Sequence, residues 1–351
     1  MSFLYLQILN HRHKFSGIIQ NDREFGIVDI CKFIMAFAVI AIHTNPVVNC
    51  TNLFVVRCVF IIEDWTLDIK MEKLYNMENR ILVSVIVLSY RSSDTIIQTL
   101  ESIKKQTYQD IELIVTDDCS PDNTVEVVKK WIAENKMRFV NARCLTATKN
   151  TGLPANFNRG LYTAKGKYFK GIAGDDYMSE DAIEKYVAFC EKNPQKYPIC
   201  KVHLFKDSVN QEIPLNIKHY CDRCYDFAQK TYKEQYHALL MQNCILAPAA
   251  TFYKVEEIKK LGGYDEKYPW FEDYPMNLKI MHAGKGFGLI AEELVWYRLS
   301  DKSVTASQQV RLKKSELKLF ANKKIWYMIQ AGMGIEVLKQ CKSWSKVLFM
   351  K

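Results

Sequence analysis

The residues able to do chemistry in this 351-residue chain sit in short polar pairs that end apolar runs. Val83-Ser-Val-Ile-Val-Leu88 leads into Ser89-Tyr90, and Ile111-Glu-Leu-Ile-Val-Thr116 leads into Asp117-Asp118. Tyr168-Phe-Lys-Gly-Ile172 leads, across Ala173-Gly174, into Asp175-Asp176. A further acidic pair, Glu272-Asp273, follows Trp270-Phe271. Random placement would rarely put two acidic pairs at those strand ends. The turn Ser89–Ser93 contains no glycine, so a dinucleotide pyrophosphate cannot approach the backbone as it does in a G-x-G-x-x-G turn. No G-x-x-x-x-G-K-[ST] loop occurs either. These exclusions weigh against a dinucleotide-binding dehydrogenase and a P-loop ATPase. A nucleotide site built from carboxylates and an aromatic ring remains.

Positioning those groups requires alternating strands and helices. The continuous β-branched run at 83–88 is what a strand buried on both faces needs. Asp94 is placed to cap a helix to about Lys105, with Ile96, Ile97, Leu100 and Ile103 on one face. The pattern continues with a strand at 111–116, a helix over Asp122–Ala133 and a strand over Arg138–Leu145. A helix over Ala155–Ala164, a short strand Tyr168–Ile172 and a helix Ser179–Cys190 follow. Repeated βα units with short links imply a parallel α/β sheet wound right-handedly. Ligands of such sheets bind beyond the carboxyl ends of the strands, where the polar pairs lie.

The segments Val83–Tyr90, Ser102-Ile-Lys-Lys-Gln-Thr-Tyr108 and Glu112-Leu-Ile-Val-Thr-Asp-Asp-Cys-Ser-Pro-Asp122 resemble glycosyltransferase family 2. So do Asn150-Thr-Gly152, Asn158-Arg-Gly160, Ala164-Lys-Gly166, Gly174-Asp-Asp176, Leu261-Gly-Gly-Tyr-Asp265 and Phe271-Glu-Asp273, in order, across residues 80–310. The resemblance implies the GT-A fold, a mostly parallel Rossmann-like sheet flanked by helices. It implies inverting transfer from a nucleotide-diphospho-sugar, a UDP-sugar above others, to a saccharide or lipid-linked acceptor in capsule or O-antigen synthesis.

By the same resemblance Asp118 contacts the nucleobase, on which Tyr90 can stack, while Ser89, Asp117, Asn150, Arg159 and Asp175 line the donor site. Asp117 can instead hold its loop through backbone N–H groups, and Asp122 can cap the next helix. Asp175 and Asp176 match the acidic metal motif, implying Mg²⁺ or Mn²⁺ held by oxygen ligands against the charge of the leaving diphosphate. The family pattern has another Asp where this chain has Ala173, so which of the pair meets metal and which meets ribose stays open. Asp273 matches the catalytic base, with Glu272 its rival, and burial beside Trp270 and Phe271 would raise its pKa. Lys149 is a second candidate for donor contact, and Tyr297-Arg298 resembles a family Tyr-Arg element without its usual histidine. The Q-x-x-R-W signature of processive synthases is missing, so single-residue addition is expected. Two other readings are a family member disabled by Ala173 that acts as a scaffold, and a nucleotidyltransferase. The latter normally needs a glycine- and basic-rich first loop.

The chain is 48% hydrophobic and 25% charged, with a formal charge of +9. Residues 311–351 hold ten of the 48 Lys/Arg against two Glu, so the remainder is close to neutral and nucleic-acid binding is not expected. This tail reads as basic amphipathic helices with Leu317, Phe320, Ala321, Ile325, Met328 and Ile329 on one face, divided at Gly332 and Gly334. Such helices suit an anionic membrane surface or the flank of the domain. Residues 1–79 carry an apolar stretch, Phe33–Ile42, within Gly26–Val48. Val28–Ile30, Lys32–Ile34 and Ile42–Pro46 resemble the start of membrane acyltransferase family 3, so the zone reads as a remnant or fusion. A span there, with Arg12, Lys14 and Arg23 before it, would place the remainder outside, away from nucleotide-sugars. A peripheral protein of the cytoplasmic face is therefore expected. The eleven scattered cysteines point to a reducing compartment, and Cys221 and Cys224 lack the second pair that a zinc site needs.

Overall fold

The computed structural model describes residues 81–207, 212–241, 248–268, 273–299 and 314–338. The apolar stretch near the N-terminus, with its acyltransferase-like motifs, lies outside the described residues, as do Trp270, Phe271 and Glu272. Strands β1 (Val83–Ser89), β2 (Ile111–Asp117), β3 (Asn141–Thr146) and β4 (Tyr168–Ala173) pair in parallel, and β7 (Tyr253–Lys254) adds an antiparallel edge. The order is β3-β2-β1-β4-β7. Val83, Val85, Ile86, Val87, Leu113, Ile114 and Val115 are fully buried, which explains why these runs read as unbroken apolar strands. The chain winds outward from β1 to β3, then returns to the other side of β1 with β4. A crevice therefore opens between the carboxyl ends of β1 and β4, where such sheets take their ligands. The register sets Ser89 beside Asp117 and Leu88 beside Ala173. The polar pairs thus meet at one edge.

Helices α1 (Ile96–Lys104), α2 (Thr124–Asn135) and α3 (Leu153–Thr163) connect these strands, and α4 (Ala182–Lys192) comes later, after β4. Helix α1 starts two residues after Asp94, with Thr95 as its N-cap. Its buried face is Ile96, Thr99, Leu100 and Ile103, while Ile97 is exposed. Thr99 displaces Ile97 because its hydroxyl donates to the Asp176 carbonyl at 2.7 Å. Asp122 precedes α2: its carboxylate accepts the Thr124 N–H and hydroxyl in a side-chain turn. Helix α3 begins before Ala155 because Gly152 (φ 88) turns the chain and Pro154 starts the helix. Strand β3 begins after 138 because Lys136–Arg138 forms a 3₁₀ turn.

A second sheet has the order β5-β8-β6, built from β5 (Tyr177–Met178), β6 (Lys196–Phe205) and β8 (Gly286–Arg298). Strands β6 and β8 are parallel, β5 and β8 antiparallel. Helices α5 (Leu215–Gln229) and α6 (Tyr232–Met241) pack against β8. Helix α7 (Val255–Lys260) follows β7, and α8 (Asp273–His282) packs on α6. Cys221 and Cys224 lie buried on α5. Of the two helices expected in the basic tail, α9 (Lys314–Gln330) packs against α6, a second helical segment starts at Gly334, and residues 339–351 lie outside the described residues. The inward residues of α9 include Ala321, Lys324, Tyr327 and Met328, whereas Ile329 is exposed. The ammonium of Lys324 donates to the Met241 carbonyl at 2.9 Å, and burial pushes its pKa down to about 8. Lys323 pairs with Asp265 at 3.3 Å, so this helix lies on the flank of the domain, one of the two placements expected for it. Gly332 (φ 72) ends the helix, as its spacing suggested. No helix among the described residues is long and apolar enough to cross a membrane.

Gly171 shows how tightly the first sheet is packed. A Cβ there would overlap the ring of Phe157, which is fully buried against Phe169 and Tyr264. Gly171→Ala is expected to destabilise the protein by about 1–3 kcal/mol, read from urea unfolding, because no exposed atom can yield.

Candidate active site

At the β1–β2 edge, Asp117 is 1% exposed and accepts from the Ser89 hydroxyl at 3.0 Å and the Ser120 N–H at 2.8 Å. The Ser120 hydroxyl donates to the same carboxylate and accepts the Arg91 N–H at 2.9 Å. Asp117 therefore fastens the two turns together, as the alternative reading of this residue anticipated. Arg91 (φ 54) and Cys119 (φ 64), both in these turns, have left-handed backbones without being glycine, a cost that clusters at functional sites. Tyr90 is 42% exposed, with the Arg91 guanidinium 5.3 Å from its ring centre.

Asp118 is buried, and its carboxylate accepts from Thr151 N–H (2.9 Å), the Thr151 hydroxyl (2.6 Å) and Gly152 N–H (2.7 Å). The Arg159 guanidinium adds a longer 3.4 Å contact. Arg159 also donates to Asn156 at 2.6 Å and to Thr151 at 3.0 Å, and Asn150 accepts the Gly152 N–H at 3.2 Å. The sequence-derived residues Ser89, Tyr90, Asp117, Asp118, Asn150 and Arg159 thus gather around one edge. Arg159, expected at the donor, is engaged mainly in holding the Thr151–Gly152 turn.

Asp175 and Asp176 form the turn after β4. Asp176 is 2% exposed, and its carboxylate accepts the Arg298 N–H at 2.9 Å. Burial, then the charge of Asp175, pushes the Asp176 carboxyl well above the carboxylate range. Burial likewise raises Asp175. The Arg298 side chain does not cap either carboxylate. Its Nε donates to the Asp175 carbonyl at 2.8 Å, and its other nitrogens meet Asp207 and Gln98. Phe205 lies under it at 4.6 Å. This geometry makes Arg298 a clasp on the acidic turn.

Lys170, fully buried on β4, donates to the carbonyls of Ala249 and Thr251, and burial pushes its pKa down to about 8. Neither Lys170 nor Gln98 nor Thr99 was singled out from sequence. Only Lys170, a cation inside an apolar strand run, carried a visible signal.

Asp273 is the first residue of α8 and accepts the Tyr274 N–H at 2.7 Å. Its charge reaches Tyr253 on β7, whose phenol is pushed up first by burial and then by Asp273. Its rival Glu272 lies outside the described residues.

The Glycosyl transferase family 2 profile matches residues 84–262, which run from β1 through α7 and include both acidic pairs of the first sheet. The minor teichoic acid biosynthesis protein GgaB of Bacillus subtilis (strain 168) is 27% identical over 247 residues, 70% of this chain and 25% of that protein. WfaP of Escherichia coli, a UDP-Glc:α-D-GlcNAc-diphosphoundecaprenol β-1,3-glucosyltransferase, is 32% identical over 128 residues, covering 36% of this chain and 49% of its own. The chain thus spans a quarter to a half of these two relatives. The crystal structure of S. aureus TarS 1-349 in complex with UDP-GlcNAc superposes with a TM-score of 0.56 at 18% identity, covering 71% of this chain and 66% of TarS 1-349, which shows the shared fold. With the profile spanning just over half of its length, the chain belongs to glycosyltransferase family 2.

Proposed function

We propose that the chain is an inverting, metal-dependent transferase that moves one sugar from a UDP-sugar to a saccharide or lipid-linked acceptor in cell-surface polysaccharide synthesis. The observation that carries this reading is the acidic turn at the β1–β4 crevice. There the buried Asp176 carboxyl is pushed up by burial and by the charge of Asp175, the partly exposed Asp175 is pushed up by burial, and the Arg298 Nε donates to the Asp175 carbonyl, so two acids crowd one turn. That surplus of negative charge fits a divalent cation such as Mg²⁺ or Mn²⁺. Among the described residues no group of three or more His, Cys, Asp or Glu could hold a metal ion; at this turn Asp175 and Asp176 would hold the cation, with diphosphate and water completing its shell. A bound cation there would offset charge on the departing diphosphate.

The pair divides its labour. Asp176, tied by its carboxylate to the Arg298 N–H, holds the turn, and the more exposed Asp175 meets the ligand. Asp118 receives a nucleobase N–H by giving up its 3.4 Å Arg159 contact, the longest of its four, and Tyr90 stacks on the base. Asp273 removes the acceptor hydroxyl's proton as the single displacement proceeds. The UDP-Glc in the name of WfaP and the UDP-GlcNAc bound to TarS support the choice of uridine donor. Exposed Trp326 and Ile329 on α9, followed in sequence by Lys339, Lys342, Lys346 and Lys351, support attachment to an anionic cytoplasmic leaflet.

A thermal-shift series with UDP-, GDP- and dTDP-sugars in Mn²⁺ tests the donor. A UDP-sugar at about a hundred times its Kd is expected to add about 2.7 kcal/mol of stability, reversed by EDTA. Stabilisation by none of the three, or equal stabilisation in EDTA, contradicts the reading.

A further inference from the structure

The second sheet presents a row of rings that the donor chemistry leaves unused. Tyr177 on β5 lies opposite Trp296 on β8, which lies opposite His203 on β6. One step along, Phe205 lies opposite Arg298. Alternation along a strand puts Trp296 with Arg298, and His203 with Phe205, on a single face. The Tyr177 and Trp296 rings are stacked, 5.5 Å apart at 12°. Phe205 is 5.3 Å from Tyr177, and His203 5.8 Å from Trp296.

The rings on this face meet water, while Arg298 on the same face is buried and Leu204 and Tyr297 on the opposite face are partly exposed. Val202 and Val295, one residue away, are buried, whereas the His203 side chain is 48% exposed and Tyr177, Phe205 and Trp296 are partly exposed. At the rim, His203 Nδ1 lies 3.1 Å from the carboxylate of Glu293, itself 53% exposed. The row also starts where the acidic turn stops. Tyr177 follows Asp176 directly, and Arg298 bridges the Phe205 ring and the Asp175 carbonyl.

A pyranose has a C–H face that packs on flat rings and an edge of hydroxyls that needs donors and acceptors. A partly exposed aromatic row with an imidazole and a carboxylate at its rim offers both. We propose that Tyr177, Trp296, Phe205 and His203, with Glu293 at the rim, form a saccharide subsite that seats a sugar ring of the acceptor beside the acidic turn. This deepens the transferase reading and rests on it only for the assignment of the sugar to the acceptor.

The test is ligand-observed saturation-transfer NMR on the full chain, with p-nitrophenyl β-glucoside, β-galactoside and β-N-acetylglucosaminide as probes, alone and with UDP and Mn²⁺. At least one glycoside is expected to bind with saturation on its ring C–H protons. Its Kd is expected to rise about tenfold in Trp296→Ala and Tyr177→Ala and to stay near wild type in Trp296→Phe. His203→Ala, at an exposed position, should weaken binding with an unchanged circular-dichroism melt, which separates ligand contact from folding. Three results overturn the subsite: no glycoside binding to wild type, an unchanged Kd in all three alanine variants, or displacement of the glycoside by uridine, which would make the row a base site. Glycoside binding that survives alongside a failed UDP thermal shift would sink the transferase reading and leave the subsite standing.

Discussion

Asp273→Asn is expected to lower sugar transfer by about 10²–10⁴-fold while UDP binding stays within about twofold of wild type. Inversion by one displacement requires a single group that takes the acceptor proton as the new bond forms. Asn keeps the size of Asp and keeps an oxygen able to accept the Tyr274 N–H that Asp273 accepts at 2.7 Å. The start of α8 is therefore preserved, and only proton acceptance is lost. Because the substitution removes a transition-state role, kcat should fall with little change in the apparent affinity for donor. The measurement is UDP release in the presence of a saccharide acceptor, set against calorimetric UDP binding. Wild-type turnover in Asp273→Asn would move the base elsewhere, with Glu272 first in line. Parallel loss of UDP binding would instead give Asp273 a role at the donor.

Much of this site was legible because parallel strands announce themselves. The runs at 83–88 and 111–116 are buried on both faces, and whatever polar residue follows such a strand must lie at the carboxyl edge. That rule brought Ser89, Tyr90, Asp117, Asp118, Asp175 and Asp176 to one side before any contact was seen. It could not say what each carboxylate touches. The Asp176 partner is a backbone N–H 122 residues away, on a strand of the second sheet. Helical periodicity failed for a related reason at Ile97, which is exposed while Thr99 is buried with its hydroxyl donating to the distant Asp176 carbonyl. At α9 the same periodicity chose Ile329 for the core, and the fold chose Lys324, whose ammonium found the Met241 carbonyl. Long-range polar partners override a local apolar pattern whenever burial would otherwise strand a backbone group. The aromatic row of the second sheet was hidden too, since it is assembled by register among β5, β6 and β8 and follows from no single segment.

Asp175→Asn is expected to separate stability from activity. Both carboxyls of the acidic turn have folded-state pKa values above the ordinary aspartate value, Asp176 the more so. A group that binds its proton more tightly when folded contributes stability at low pH and loses it as pH rises through the folded value. Wild-type protein in EDTA should therefore lose stability as pH rises from the ordinary aspartate range toward neutrality. Removing the Asp175 charge relieves the repulsion that is the second cause of the Asp176 shift, so the variant should melt higher than wild type at pH 7 in EDTA. The same substitution removes one of the two carboxylates of the acidic turn proposed to meet a cation, and turnover should fall by about 10²-fold or more. Mn²⁺ should stabilise wild type strongly and the variant little. A site that gains stability and loses function on losing a charge is holding that charge for a ligand, because folding alone would favour its removal. If Asp175→Asn melts lower than wild type in EDTA and keeps its response to Mn²⁺, the carboxylate is structural and the cation site lies elsewhere.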